Sequence, residues 1–265
     1  MDIAFDRITN PILEPHPHLA VRDPVIAYDA GVFHIYFSVV ERGEERFRWF
    51  VYTMRSSDLV DWSEPAPLAD SPLNFSSPGD IIRVDGKWVM PVQSYVTVAG
   101  ERYGTEDSRL HYMTSPDLDV WSDPVPLNPG GANVNWTDSK RQIDPCFVQH
   151  DGRYWCFYKT SGCLGLLVSD DFRTWQEASP DRPVFAQSDT PDNVTVENPS
   201  VVRDGGEFVL FFTACRPNRS VGVARSRDLL NWRDVHYLDI ADLRGFQMAL
   251  PPAWPPTCAM CAGNT

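Results

Sequence analysis

Three short segments of this 265-residue chain carry an acid one or two residues before a proline at matching places of a repeat: Arg22-Asp23-Pro24, Ile143-Asp144-Pro145 and Glu197-Asn198-Pro199. A fourth, Pro78-Gly79-Asp80, carries the acid without a trailing proline. Carboxyl groups gathered in one place raise one another's pKa, and proteins keep such crowding mainly where a proton must be given or taken. Any one Asp-Pro reads equally well as a turn or a strand cap. The interest lies in their recurrence at one phase of a longer repeat.

That repeat has two parts. A turn falls between apolar runs at Tyr28-Asp-Ala-Gly31, Val84-Asp-Gly86, His150-Asp-Gly152 and Arg203-Asp-Gly-Gly206, each followed by an aromatic-rich strand. Asp-Gly at such a place signals a hairpin, because both residues accept positive φ. Farther on, each copy carries a Ser-x-Asp turn closing on tryptophan: Ser56–Trp62, Ser115–Trp121, Ser169–Trp175 and Ser226–Trp232. The tryptophans stand 59, 54 and 57 residues apart, a period that predicts propeller blades of about four strands. The tryptophans themselves are expected to pack between neighbouring blades.

The chain therefore reads as a single all-β propeller domain over residues 1–265, expected to have five blades. Four are complete, over about 14–70, 71–130, 137–185 and 190–235, and 236–265 is a partial blade or a tail. A fifth tryptophan would fall beyond Thr265. One strand is predicted over Val235–Ile240, and Ile3–Leu13 is expected to lend another to close the ring. The stretch Leu250–Thr257 is too proline-rich to pair inside a sheet.

Composition narrows the partners. A formal charge of −13 argues against nucleic acid and an anionic membrane surface and favours a neutral ligand. No apolar run reaches membrane-spanning length. The opening MDIAFDRITNPILEP lacks the basic and apolar regions of a signal peptide, which points to the cytoplasm and to reduced thiols among the 6 cysteines. Cys258-Ala-Met-Cys261 is read as a chance pair rather than a metal or redox site.

The first strand of a blade lines the propeller axis, so the recurring acids are brought to one mouth. Hydrolysis of a glycosidic bond needs such a set: one group protonates the leaving oxygen and a carboxylate acts from the opposite side. The acid-proline strand starts and the Ser-x-Asp-Leu-x-x-Trp turns resemble glycoside hydrolase family 43 over about residues 10–233. The wider superfamily includes the family 32 and 68 fructosidases. The resemblance implies a five-bladed propeller acting on arabinose- or xylose-containing glycans. It further implies that Asp23 is the base, Asp144 the modulator that keeps Glu197 protonated, and Glu197 the acid. Inversion would then set Asp23 and Glu197 about 6.5–9.5 Å apart. This chain departs from the family in having Arg-Asp-Pro in the first blade and no evident fifth-blade histidine. No cofactor is expected; the family fold leaves room for a structural calcium on the axis.

Around these acids, Arg22, Asp80, Gln93, Gln142, Asn198 and Arg216 are the candidate substrate-binding side chains, and Trp136 is a candidate platform for a sugar ring. Trp49 reads as part of a long exposed hairpin, and His111 as a structural histidine. Three alternatives stay open: a retaining fructosidase-like hydrolase, a non-catalytic glycan-binding propeller, and a phosphorolytic enzyme with Arg22, Lys159 or Arg216 on phosphate. Each would act on an oligosaccharide or glycoside. Oligomeric state is not legible.

Overall fold

The computed structural model describes residues 3, 5–9, 11–14, 19–42, 47–68, 74–95, 97–98, 104–215 and 220–238. These residues form four antiparallel sheets in chain order. Blade one is β1 (Leu19–Asp29), β2 (Val32–Arg42), β3 (Phe47–Ser56) and β4 (Ala66–Pro67). Blade two is β5 (Phe75–Ser76) and β6 (Ile82–Val84), both paired to β7 (Lys87–Ser94), followed by β8 (Leu110–Ser115) and β9 (Val125–Pro126). Blade three is β10 (Ile143–His150), β11 (Arg153–Thr160), β12 (Cys163–Ser169) and β13 (Gln176–Glu177). Blade four is β14 (Val196–Asp204), β15 (Glu207–Ala214), β16 (Ser220–Ser226) and β17 (Arg233–Tyr237).

Both parts of the repeat have a clear physical cause. Ala30-Gly31, Asp85-Gly86 and Asp151-Gly152 all lie at positive φ, the geometry that matches a two-residue hairpin to the twist of its strands. In the second part, the serine hydroxyl caps a turn. Ser115 Oγ accepts the N–H groups of Asp117 and Leu118, and Asp117 Oδ1 accepts those of Asp119 and Val120. The same pattern recurs at Ser56/Asp58 and Ser226/Asp228. The next residue is forced to positive φ in every copy, at Leu59, Leu118, Phe172 and Leu229. At Leu118, Phe172 and Leu229 that strain, of order 1–2 kcal/mol for an L-residue, is offset by burial of the side chain it turns inward.

Three of the four repeat tryptophans join blades as expected. Trp121 meets the ring of Tyr36 from blade one edge-on, with centroids 5.5 Å apart, and Trp232 meets Phe157 of blade three at 6.0 Å. Trp175 packs on Phe147 in a cluster shared by blades two and three. Trp62 instead covers Phe37, Val39 and Met54 of its own blade.

The fifth-blade expectations are corrected in two places. The strand predicted over Val235–Ile240 is β17, the outer strand of blade four, paired with β16. Within Ile3–Leu13 the described residues form a 3-10 helix, Phe5–Arg7, rather than a strand, and Leu13 packs on Phe37, Val39 and Met54. Pro11 would remove a ladder donor from such a strand. The proline-rich stretch and the Cys258/Cys261 pair lie outside the described residues. Cys146, Cys156, Cys163 and Cys215 are free thiols. No helix among the described residues is long and apolar enough to cross a membrane.

Candidate active site

The inner strands of blades one, three and four share one irregularity. Register between β1 and β2 shifts between Arg22 and Val25, between β10 and β11 from Ile143 to Cys146, and between β14 and β15 from Glu197 to Ser200. Each shift is a β-bulge: one strand carries an extra residue, bends, and re-aims a side chain. The residue before the proline takes positive φ, +51° at Asp23, +53° at Asp144 and +51° at Asn198. Asp and Asn are among the few side chains that adopt this region readily.

This alignment corrects the sequence reading at two points. The structural equivalent of Asp23 and Asp144 in blade four is Asn198, and Glu197 sits one residue earlier, at the place of Arg22 and Ile143. In blade two the equivalent is Ser77, at φ +50° and followed by Pro78, not Asp80. Asp80 lies three residues farther along, in the break between β5 and β6, and reaches across the axis. Its carboxylate accepts Cys146 Sγ at 3.2 Å, Ser200 Oγ at 3.0 Å and the Val201 N–H at 3.0 Å. Burial raises its pKa. Asp80 ties blades two, three and four together and does not line the cleft.

The three other acids meet in one cleft. A small cleft of about 20 Å³, opening to solvent, is lined by Arg22, Asp23, Trp49, Ser77, Gln93, Tyr95, Ile143, Asp144 and Glu197. Hydrogen bonds run around it from blade to blade. Ser77 Oγ of blade two donates to Asp23 Oδ2 of blade one at 3.0 Å, beside a 3.1 Å bond from Ser38 Oγ. The Asp144 N–H of blade three donates to Gln93 Oε1 of blade two at 2.6 Å. The Asn198 N–H of blade four donates to Asp144 Oδ2 at 3.3 Å. Lys159 Nζ of blade three donates to Glu197 Oε2 of blade four at 2.7 Å.

Ser38, Gln93, Lys159 and Thr213 occupy one structural position, the second-strand residue opposite the start of the bulge. Of these four, Gln93 is a sequence candidate for substrate binding and Lys159 a candidate phosphate contact. Serine and lysine in a strand carry no local signal; only the repeat register exposes them.

Electrostatics separates the acids. Burial lifts the Asp144 pKa to about 6; the Lys159 ammonium works against that rise, while Glu197 and then Asp23 add to it. Burial by itself would lower the Lys159 pKa, but Glu197 and Asp144 outweigh it and leave the pKa raised. Lys159 is therefore held charged by the two carboxyls.

The wall of the cleft is aromatic and cationic. Trp49 is 5% exposed and packs against Tyr95 with centroids 4.5 Å apart. The Arg22 guanidinium lies 6.0 Å from the Trp49 ring, and Arg141 lies 5.5 Å from Tyr95 and donates to its hydroxyl. Trp49 is thus not part of an exposed hairpin face. Strand β3 is long, and the tryptophan near its start turns inward opposite Val40.

Other expected contacts fall elsewhere. Trp136 packs, half-buried, into the cluster between blades two and three and does not line the cleft. Gln142 is fully buried, its Oε1 accepting from Asn128 Nδ2. Asn198 acts through its backbone, with its side chain on Thr213. His111 is structural, against Phe75 and the Arg109 carbonyl. Arg216 lies outside the described residues. Among the described residues no group of three or more His, Cys, Asp or Glu side chains is arranged to hold a metal ion.

An all-β propeller with three carboxyls from three blades converging on one cleft is the class this structure defines. The sequence matches no family model and no curated protein. Among solved structures, the fold is similar to a glycoside hydrolase at TM-score 0.66 and 16% identity, over 89% of this chain and 80% of that one. It is similar to a thermostable family-43 glycoside hydrolase at 0.59 and 18%, over 85% and 74%. It is also similar to an arabinanase from Bacillus subtilis at 0.56 and 19%, over 83% and 76%. The chain shares the fold of the family-43 glycoside hydrolases, as the sequence resemblance implied.

Proposed function

We propose that this protein is a glycoside hydrolase acting on pentose-type linkages, arabinofuranosyl or xylosyl, in small glycans. The observation that carries the reading is the convergence of Asp23, Asp144 and Glu197, from blades one, three and four, on one cleft with an aromatic wall. Asp23, oriented by two hydroxyls, is the carboxylate that draws a proton from water as it attacks the anomeric carbon. The Asp144–Glu197 pair is the proton source for the leaving oxygen. Trp49 and Tyr95, packed on one another, form the apolar wall beside which a sugar would lie. Inversion follows from assigning Asp23 as base rather than nucleophile, and NMR of the first-formed anomer tests it.

The phosphorolytic alternative is disfavoured because Lys159 is engaged by Glu197 inside the site. The glycan-binding alternative would not need a carboxyl with its pKa pushed up to about 6.

The test is hydrolysis of aryl α-L-arabinofuranosides and β-D-xylosides, with poor and activated leaving groups, by wild type, Asp23→Ala and variants of the pair. Asp23→Ala is expected to abolish turnover of every substrate. Loss of the proton source is expected to remove poor-leaving-group turnover far more than activated turnover. Tight oligosaccharide binding with no turnover by the wild-type protein would overturn the reading.

A further inference from the structure

A β-bulge leaves its extra residue unpaired in the ladder, and a buried N–H there needs an acceptor from elsewhere. At the bulges of blades three and four, and at the equivalent residue of blade two, that acceptor is a side chain of the blade before. The Ser77 N–H of blade two donates to Ser38 Oγ of blade one at 2.7 Å. The Asp144 N–H of blade three donates to Gln93 Oε1 of blade two at 2.6 Å, and the Asn198 N–H of blade four to Asp144 Oδ2 of blade three at 3.3 Å. All three donors lie at positive φ immediately before a proline. Ser38 and Gln93 hold the same second-strand position. Lys159, at that position in blade three, carries donors only and cannot cap Asn198, and the Asp144 carboxylate takes its place.

Gln93 is 2% exposed and lines the cleft. Its Nε2 donates to Ser76 Oγ of its own blade at 3.4 Å, which turns the amide oxygen toward Asp144. Blade two also holds the next two residues of the bulge. A Cβ on Gly79 would fall 1.7 Å from the Pro145 carbonyl oxygen, and Cys146 Sγ donates to Asp80 Oδ2 at 3.2 Å. From this series, and resting on the hydrolase reading above, we infer that Gln93 is the positioning residue for the Asp144–Glu197 pair, acting through the Asp144 main chain rather than on substrate. Capping the Asp144 N–H fixes the bulge that aims its carboxyl. That carboxyl in turn accepts the N–H of Asn198, the residue next to Glu197. One amide oxygen thereby sets the placement of two carboxyls from different blades.

The experiment compares wild type, Gln93→Met and Gln93→Glu by steady-state kinetics and by NMR of isotope-labelled aspartate amides in the full chain. Methionine keeps the length and loses the acceptor; glutamate keeps an oxygen at the same reach. In wild type the Asp144 amide proton should resonate downfield and exchange slowly with solvent. Gln93→Met should abolish that protection and lower kcat about tenfold, the rate equivalent of one hydrogen bond, with KM little changed. Gln93→Glu should recover the protection and most of the kcat. A rapidly exchanging Asp144 amide in wild type would overturn the inference, even if Gln93→Met does not fold. So would a folded Gln93→Met in which KM rises while kcat holds, the pattern of a substrate contact, or in which neither constant moves. The amide readout needs no turnover, so a wild-type protein without activity would sink the hydrolase reading while leaving the cap on Asp144 intact.

Discussion

Ser77 of blade two donates its hydroxyl to Asp23 of blade one at 3.0 Å, so the carboxylate at the first bulge is oriented by the neighbouring sheet. Ser38 completes the pair at 3.1 Å and also accepts the Ser77 N–H at 2.7 Å. Orientation of a base matters more to the transition state than to substrate affinity. Ser38→Ala is therefore expected to lower kcat with little change in KM. A hydrogen bond to a charged group is worth about 1.5–3 kcal/mol, which corresponds to roughly 10–100-fold in rate. Steady-state kinetics at fixed pH would show it; a rise in KM alone would deny Asp23 the role of base.

Asp144 ties activity and stability to the same titration. Its folded pKa, about 6, lies above the ordinary aspartate value, so its contribution to stability is fully present below about pH 4 and is lost as pH rises through about 6. Activity that needs this proton should fall over the same upper range. Asp144→Asn removes the cost of the buried charge, and its side-chain oxygen still accepts from Asn198. The variant is expected to be inactive on poor leaving groups yet more stable than wild type at pH 7.5, by on the order of 2–3 kcal/mol. The difference should vanish near pH 4. Denaturant midpoints at the two pH values measure it, and a variant less stable at pH 7.5 would contradict the assignment.

Trp49 packs in the cleft wall, held by Tyr95 on one side and overlain by Arg22, with 5% of its surface exposed. An aromatic pair such as Trp49–Tyr95 contributes about 0.5–1.5 kcal/mol beyond area burial, so its loss should loosen the wall. Trp49→Ala should raise KM by up to about tenfold for the glycoside, with Trp49→Phe intermediate. Inhibition constants for the free monosaccharide should follow the same order. Equal affinities across the three proteins would remove Trp49 from the binding surface.

Much of this was legible because the repeat writes the same physics four times. Ser115-x-Asp117 and its counterparts encode a capped turn in consecutive residues, and Asp85-Gly86 encodes a hairpin in two. The acids were legible for the same reason. Their phase was not, because a bulge adds a residue that sequence spacing does not distinguish from the strand. Glu197 therefore looked equivalent to Asp23, when Asn198 is. In blade two the equivalent residue is Ser77, whose side chain carries no charge, while the nearby acid, Asp80, is carried across the axis by the longer break between β5 and β6. Lys159 and Ser38 gained meaning only through register pairs made by strands folding back.

Gly79 tests whether the cleft depends on how closely blades two and three approach. A Cβ on this residue would fall 1.7 Å from the carbonyl oxygen of Pro145 and 3.1 Å from Pro91 Cγ. The first of these is backbone, and it belongs to the bulge that carries Asp144, so it cannot yield without shifting the acid. Gly79→Ala should destabilise the fold by at least the usual overpacking range of about 1–3 kcal/mol, and the folded fraction should lose activity beyond what unfolding explains. Gly86→Ala, in the hairpin of the same blade, is the control: nothing stands within 4 Å of its Cβ, and only its positive φ of +79° resists the change. Its cost should stay near 1 kcal/mol, with specific activity intact. If denaturation and specific activity show the two variants to be alike, the close packing of the inner strands does not position Asp144.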